Sequence, residues 1–329
     1  MRSALLTAIL LVAMLAGCTA PQSTRSDCEP KADLQDITID GSSTVYPIAE
    51  AWAEEFAACA GIQASIAFSG TGGGFQKFCR GEIQVSDASR PIKTGSGSET
   101  EKCQSAGITP FEIQVAIDGL AVVVPNSNTW VTDLKVSELN RMWTADPAKQ
   151  ANTWQDLRPE WPAEAIELFG PGTNSGTFDY FVEVIIHPFD GSSGAGSKGR
   201  SDYTPSEDDH VLVQGVSGAK NGLAYFGLAY AEESSSLLRT VPIIQDTKDG
   251  GKTFISGAQP VAPTAATVEG GTYTPLARPL FMYTNGAPVG QLQEWFKLGL
   301  SSAGQEVVSE VGYIKLNEAK RTEMLAKLG

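Results

Sequence analysis

The stretch DITIDGSSTVYPIAEAW, residues 36 to 52, joins a strand pattern to a helix pattern through a short polar turn. Ile37 and Ile39 alternate with polar residues, which predicts a β-strand with one buried face. Apolar residues then recur at helical spacing, at Ile48, Ala51, Trp52, Phe56 and Cys59. Pro47 falls near the first turn of this helix, where its missing N–H costs little. The segment therefore predicts a β-strand, a turn and an α-helix in succession.

The same alternation continues along the chain. Further strands are predicted at SIAF (65 to 68), IQVS (83 to 86), ITPFEIQVAI (108 to 117), GLAVVV (119 to 124), AIELFGPG (165 to 172), VLVQGVSG (211 to 218) and ARPLFMYTN (277 to 285). Helices are predicted at residues 130 to 144, 291 to 300 and 301 to 313, and a long surface loop at residues 191 to 209. Alternation of this kind favours a largely parallel sheet with helices on both faces. The 329 residues suffice for about two such α/β lobes with a cleft between them.

The first 17 residues have the features of a leader rather than of the fold. Arg2 gives a positive start, and the apolar run at residues 4 to 16 is too short to span a bilayer comfortably. LAGC, residues 15 to 18, looks like a bacterial lipobox, which implies cleavage before Cys18 and a lipid chain on its thiol. A plain signal peptide followed by a chance cysteine is the alternative. Residues 18 to 36 are polar and contain prolines, which predicts a flexible tether.

Four cysteines remain after Cys18, and an even number in an exported chain indicates disulfide bonds. The sequence alone allows three pairings. Cys79 ends a predicted short helix and Cys103 precedes the next strand, so we expect Cys79–Cys103 together with Cys28–Cys59. A metal site is not expected, because no cysteine spacing is C-x-x-C and the chain has two histidines.

Three strand–helix junctions carry the same chemistry: GSSTVYPIAEAW (41 to 52), SGTGGGFQKFCRGE (69 to 82) and GPGTNSGTFDYFVEVI (170 to 185). Each places serine or threonine hydroxyls beside the free N–H groups of a helix start, which carry a partial positive charge. Glycines let a ligand approach the backbone closely. This combination binds phosphate-like anions. Such local donors are needed because the formal net charge of −14 repels anions at long range. The same charge makes nucleic acid and anionic membrane surfaces poor partners.

Helix capping alone is the alternative for any one junction, since serine and threonine are common N-caps. Three junctions at the carboxyl ends of strands favour a shared ligand site instead. A fourth stretch, VSDASRPIK (85 to 93), offers a further wall, with Ser89 as donor, Arg90 as charge and Asp87 as acceptor of a ligand proton. A solvated loop with a local Asp–Arg pair is the alternative for this stretch.

At these four stretches the sequence resembles the phosphate-binding lipoproteins of high-affinity bacterial phosphate ABC importers. SEDDHVLVQGV, LAYFGLAY and PLARPLFMY extend the resemblance over residues 37 to 329. It implies a two-lobed periplasmic-binding-protein (type II) fold, each lobe a mixed, mostly parallel sheet flanked by helices. Lobe 1 would comprise residues 37–118 and 278–329 and lobe 2 residues 119–277, with hinges near 118–121 and 276–281.

The resemblance also implies a ligand set and partners. Phosphate would be held by Ser43, the Thr44 N–H, Thr71, Asp87, Ser175, Gly176 and Thr177, with Asp87 accepting the phosphate proton and so rejecting sulfate. Ser89 is added from its place in the same turn. The protein would be a monomer, lipid-anchored at the periplasm or cell surface, and would deliver phosphate to the transmembrane subunits of an ABC permease.

One position departs from the family pattern. Many relatives have an arginine four residues before the serine of S-G-T, and here that residue is Pro171. Arg90 and Arg200 are the two candidates for the missing guanidinium, and the sequence does not decide between them.

Three alternative functions and an enzyme remain open beside phosphate uptake. Another oxyanion such as sulfate, a phosphorylated compound, or a phosphate-sensing role would use similar donors. A phosphatase is not favoured, because GTNSGT is not G-x-S-x-G and GGKT at 250 to 253 lacks the upstream glycine of a P-loop. His187, in an expected loop, and His210 are predicted to be surface residues, and no cofactor is expected.

Overall fold

Strands and helices alternate through the computed structural model, which describes residues 36–173, 175–190, 199–248 and 253–329 and their side chains except those of Cys59, Asp190, Lys248 and Phe254. The strands are β1 (Ile37–Gly41), β2 (Ala64–Phe68), β3 (Val85–Ala88), β4 (Pro110–Pro125), β5 (Leu134–Lys135), β6 (Glu167–Pro171), β7 (Thr204–Ser206), β8 (Gly222–Gly227), β9 (Leu238–Thr240), β10 (Ile243–Ile244), β11 (Thr247–Lys248), β12 (Thr253–Phe254) and β13 (Ala277–Asn285). The helices are α1 (Tyr46–Ala60), α2 (Thr71–Phe78), α3 (Glu99–Ser105), α4 (Val136–Trp143), α5 (Trp154–Leu157), α6 (Gly176–Phe181), α7 (His187–Asp190), α8 (Asp209–Gly218), α9 (Leu228–Glu233), α10 (Ala265–Glu269), α11 (Gly290–Gly299), α12 (Ser302–Glu310) and α13 (Glu318–Leu328). A π-helical turn, Val182–Ile186, connects α6 to α7.

Within the described ranges, one continuous sheet joins nine strands in the order β2-β1-β3-β13-β4-β8-β6-β7, with β9 also paired to β4. β1 pairs in parallel with β2 and β3, and β6 pairs in parallel with β7 and β8. β13 runs antiparallel to β3 and β4 because the C-terminal part of the chain returns through it. The result is a mixed α/β fold in which parallel pairs lie outside and antiparallel pairs lie in the middle.

The long strand β4 belongs to both halves of the sheet. Its residues from Pro110 to Gly119 pair with β13, and Leu120 to Val123 pair with β8. The two strands predicted at 108–117 and 119–124 are therefore one strand that passes between two lobes. The lobe boundaries predicted at 118/119 and 277/278 lie on β4 and at the start of β13, and they stay predictions.

Helix α1 shows how the local pattern becomes packing. Ile48, Trp52 and Phe56 are buried on one face, as their spacing predicts. Trp52 and Phe56 both pack against Trp295 of α11 in edge-to-face contacts, with ring centroids 6.3 and 5.1 Å apart. The helix ends at Gly61, which has a φ of +73° and donates its N–H to the Phe56 carbonyl.

Three predictions for the second lobe are wrong in type or extent. VLVQGVSG is part of helix α8, which Asp208 caps by accepting a hydrogen bond from the His210 N–H at 2.9 Å. Its valines and glycines suggested a strand, whereas the buried side chains Leu212, Val213 and Val216 follow helical spacing. The helix predicted at 130–144 is confined to α4, and the loop predicted at 191–209 contains β7.

A disulfide bond links Cys79, next to the last turn of α2, with Cys103 of α3. Both cysteines lie in a small apolar cluster with Phe75, Phe78, Phe281 and Tyr283. The leader, the tether up to residue 35, Cys18 and Cys28 fall outside the described residues, so the Cys28–Cys59 pair does as well. None of the helices in the described ranges is both long and apolar enough to cross a membrane.

Candidate functional site

The first junction lies between β1 and α1. Gly41 has a φ of +154°, and a Cβ there would lie 2.1 Å from the Asp87 carbonyl oxygen, so only glycine fits. Ser42 accepts hydrogen bonds from the Tyr46 N–H at its carbonyl (3.0 Å) and from the Thr44 N–H at its hydroxyl (3.2 Å). Ser42 thus closes the turn, and Ser43 lines the cavity beside it.

The second junction brings Thr71, the first residue of α2, next to β3. Its Oγ1 lies 3.2 Å from the Ser89 hydroxyl and accepts a hydrogen bond from the Ser89 N–H at 3.2 Å. The glycines that follow allow α2 to pack against the end of β1, because a Cβ on Gly74 would lie 2.6 Å from the Gly41 Cα. The first and second junctions are therefore in direct contact.

Asp87 lies beneath these two junctions, on β3. Its carbonyl oxygen accepts a hydrogen bond from the Ser42 N–H at 3.0 Å. Its side chain is completely buried, and neither carboxylate oxygen has a hydrogen-bond partner among the described residues. Burial, and secondarily the charge of Asp40, raises the pKa of Asp87 well above its ordinary value. The Asp87 side chain lines neither cleft cavity, so its predicted contact with a ligand stays a prediction.

The third junction comes from the other half of the sheet. Ser175 caps α6 by accepting a hydrogen bond from the Thr177 N–H at 3.1 Å. A Cβ on Gly176 would lie 3.0 Å from the Thr44 Cα and 3.3 Å from the Thr44 nitrogen. The start of α6 therefore abuts the turn before α1, so helix starts from both lobes meet across the cleft.

Two contiguous cavities occupy this meeting point, and Ser43 lines both. The larger, of about 560 Å³, is lined by lobe 1 residues that include Ser43, Thr44, Thr71, Ser89 and Arg90. The smaller, of about 360 Å³, is lined by residues that include Ser43, Ser175, Gly176 and Thr177. Every residue predicted to hold the ligand, apart from Asp87, thus lines one of two adjoining cavities.

Arg278, the second residue of β13, lines the larger cavity and is a candidate that the sequence interpretation missed. It donates from Nη2 to the Thr44 hydroxyl at 3.1 Å and from Nη1 to Glu183 at 2.9 Å, and its Nε lies 3.5 Å from Asp118. The guanidinium carbon lies 3.6 Å from the centroid of the Tyr180 ring. The available signal was an arginine inside the otherwise apolar strand ARPLFMY.

Arg278 balances several carboxylates at the cleft. The Asp118 side chain is 5% exposed and that of Arg278 is 12% exposed, so their attraction is only weakly screened by solvent. Burial raises the pKa of Asp118 to about 6, although the nearby Arg278 charge opposes this rise. Glu183 reaches the same guanidinium from the π-helical turn of lobe 2. An entering anion would compete with Glu183 for this cation.

The two arginines proposed from the sequence have different positions. Arg90 lines the larger cavity and forms a bidentate pair with Glu99 at 2.7 and 2.9 Å. Arg200 is held by Asp202, with both nitrogen–oxygen distances 2.7 Å, and lines neither cavity of the cleft. Arg200 instead lines a separate cavity of about 590 Å³ that shares Phe178 with the larger cleft cavity, whereas Arg278 lines the larger cleft cavity itself. The choice of charge partner stays a prediction.

The histidines show that the cleft wall was predicted only in part. His187 starts α7 and lines the larger cavity, so its predicted place in a surface loop is wrong. His210 is exposed and packs edge to face against Tyr230. In the part of the chain that the structure describes, no cluster of three or more potential metal ligands occurs.

Two α/β lobes that share strands, with helix starts from both lobes at a common cleft, define a class of two-lobed ligand-binding proteins. A family model described as a PBP superfamily domain matches residues 20–306, and the chain belongs to this family.

Individual relatives agree with this assignment over nearly the whole chain. Protein SphX of Synechocystis is 40% identical over 297 residues, which cover 89% of this chain and 82% of that protein. The phosphate-binding protein PstS of Staphylococcus saprophyticus is 33% identical, with 89% and 84% covered. A crystal structure of a possible phosphate binding protein from Planctomyces limnophilus is 45% identical, has a TM-score of 0.77 and matches 89% of this chain and 97% of that chain.

Proposed function

We propose that this protein binds inorganic phosphate between its lobes and delivers it to an ABC permease for uptake. The observation that carries the proposal is the contact of the α6 start with the turn before α1, at Gly176 and Thr44, with Arg278 beside it. The relatives described as phosphate-binding proteins support the choice of anion. Binding without catalysis fits a cleft of backbone and hydroxyl donors.

The donors act on the anion from both sides. Ser43, Thr71 and Ser89 would supply hydroxyls from lobe 1. The Ser175–Thr177 turn would supply its hydroxyls and the Gly176 N–H from lobe 2, because the Thr177 N–H already donates to Ser175. Helix starts add partial positive charge without adding formal charge. Phosphate would then bridge the lobes, and binding would shift the population toward the closed form.

Arg278 would supply a full positive charge at the bridged anion. In the structure its hydrogen bonds go to Glu183 and Thr44. Phosphate, with its two charges, would displace the Glu183 contact and keep the guanidinium between the lobes. The more exposed Glu183 side chain, 54% accessible, is free to turn toward solvent.

Asp87 would provide the discrimination against sulfate. As a carboxylate it accepts a hydrogen bond from the proton of HPO₄²⁻, whereas sulfate brings no proton and places two negative oxygens face to face. A protonated Asp87 would donate to either anion. Rejection of sulfate is therefore strongest above the pKa of Asp87, which burial raises.

The cellular setting of this proposal follows from the leader. A lipid on Cys18 would anchor the mature chain outside the cytoplasm, and the tether up to residue 36 would let the lobes reach the permease. Metabolic labelling with a fatty acid should mark the wild type and leave Cys18→Ala unlabelled.

Calorimetric titration tests the function directly. Phosphate should bind the phosphate-stripped protein in a one-to-one complex, and a large excess of sulfate should leave the phosphate affinity unchanged at pH 8. Equal competition by sulfate would point to a general oxyanion binder. Turnover of a chromogenic phosphomonoester would instead support an enzyme, and we expect none.

A further inference from the structure

A third cavity, of about 500 Å³, lies on lobe 1 between α2 and α3 and joins the larger cleft cavity through Gly72 and Arg90. Its charged lining consists of four cations and one carboxylate, namely Arg80, Arg90, Lys93, Lys102 and Glu99. We call this surface the basic groove. It is unusual on a chain with a formal net charge of −14.

The charges of the basic groove are arranged so that a positive field remains. Glu99 is engaged by Arg90, and Arg80 pairs with Glu82 at 2.6 Å. Lys93 and Lys102 are exposed and line the groove on the side of α3. Lys93 also acts on Glu99, so the four cations exceed the two carboxylates Glu99 and Glu82 by two positive charges.

The other walls of the cleft contain more carboxylates than cations, even with Arg278 included. The lobe 2 wall of the larger cavity contains Asp179 and Glu183. The smaller cavity contains Asp118, Glu207 and Asp209. A dianion that approaches from either of these sides meets carboxylates first, whereas an approach along lobe 1 meets cations that end at Arg90.

We propose that the basic groove is the approach path along which the anion reaches the cleft. This inference rests on the proposed function, since it concerns the arrival of phosphate rather than its retention. A local positive field on a negative protein raises the concentration of anions at its end and so raises the association rate. The groove residues other than Arg90 and Gly72 lie outside the cleft cavities, so they should leave the dissociation rate unchanged.

The test compares two double variants with the same change in net charge. Lys93→Gln/Lys102→Gln removes the groove lysines, and Lys320→Gln/Lys327→Gln removes two lysines on α13 that line none of these cavities. Stopped-flow tryptophan fluorescence with inorganic phosphate gives both rate constants, and calorimetry gives the affinity independently.

At about 10 mM ionic strength we expect the groove variant to associate roughly three- to tenfold more slowly than the wild type, with the control variant close to the wild type. The difference should vanish at about 1 M salt, where the Debye length is about 3 Å. The proposal would be overturned if all three proteins associated at equal rates or if the control variant were slowed as much as the groove variant. A difference in association rate that persists at high salt would also overturn it. Absence of any calorimetric binding to the wild type would instead contradict the proposed function.

Discussion

The Arg278 guanidinium has contacts from three directions, with Thr44 on one lobe, Glu183 on the other and Asp118 on the shared strand β4. Its planar, multiply donating group suits this position, because two separate nitrogens can serve the two lobes at once. At the scale of single residues, the proposed function gives this side chain and the buried Asp87 the task of determining which anion the cleft accepts.

Arg278→Lys tests the geometry of this cation rather than its charge. Lysine keeps the positive charge but lacks the planar guanidinium with its several N–H donors. We therefore expect phosphate affinity to fall at least tenfold, by about 1.5–3 kcal/mol. Calorimetry measures the affinity, and a thermal melt in phosphate-free buffer checks the fold. Affinity equal to the wild type in a fully folded variant would contradict the role assigned to Arg278.

Asp87→Asn should change selectivity more than affinity. The amide can accept a hydrogen bond from phosphate and donate one to sulfate, so it no longer opposes an unprotonated oxygen. We expect sulfate to compete with phosphate in this variant at pH 8 and not in the wild type. A variant that still excludes sulfate would show that selectivity comes from another group.

Asp118→Asn makes a prediction about stability and pH. The folded pKa is about 6 against an ordinary value of 3.8, so the folded wild type binds more protons than the unfolded chain between these values. Its unfolding free energy should therefore fall as pH rises through this window, and asparagine removes that dependence. Denaturant titrations in phosphate-free buffer should show that, between pH 4 and 6.5, the unfolding free energy of the variant rises by up to about 3 kcal/mol relative to that of the wild type. A difference that is constant with pH would contradict it.

At the scale of elements, the strand–helix junction is the repeated unit of the site. Each junction needs glycine for packing as well as for the ligand, as Gly41, Gly74 and Gly176 show by the atoms that a Cβ would meet. Ser175 both caps α6 and faces the smaller cavity. Capping and the proposed ligand binding would be two roles of one hydroxyl, and a variant must separate them.

Ser175→Ala/Thr177→Ala separates these roles when it is compared with Ser301→Ala. Ser301 caps α12 through the Gly304 N–H at 3.1 Å and lines neither cleft cavity, so its loss should cost about 1 kcal/mol of stability and no affinity. The double variant should lose a similar stability but bind phosphate at least a hundredfold more weakly. If both variants bind like the wild type, the α6 start does not hold the anion.

Elements were predictable where a short stretch contains the whole pattern. The β1–α1 unit follows from the alternation of Ile37 and Ile39 and the helical spacing that ends near Cys59, and the structure confirms both elements. Helix α8 was not predictable in the same way, because three valines favour a strand locally and Gly215 disfavours a helix. Tertiary packing of Leu212 and Val216 decides the outcome.

At the scale of the whole molecule, the site depends on contacts between distant parts of the chain. The three junctions could be predicted because each is local and the carboxyl ends of parallel strands share one edge of a sheet. Arg278 could not, because it comes to Thr44 from 234 residues further along the chain, through the return strand β13. The sequence pattern alone does not predict which of several arginines the return strand β13 brings to the cleft.

The global charge and the local dipoles act in opposite directions on the anion. A protein with a net charge of −14 gains solubility and loses attraction for phosphate, so short-range donors from both lobes must supply the binding energy. Because those donors sit on different lobes, they can act together only when the anion lies between them. The central claim is therefore that the anion lies between the two lobes.

A crystal structure of the complex with phosphate measures that position most directly. We predict one anion within hydrogen-bonding distance of a lobe 1 donor such as Thr71, of the Ser175–Thr177 turn and of Arg278. Phosphate bound by one lobe alone, or in the basic groove with an empty cleft, would contradict the account.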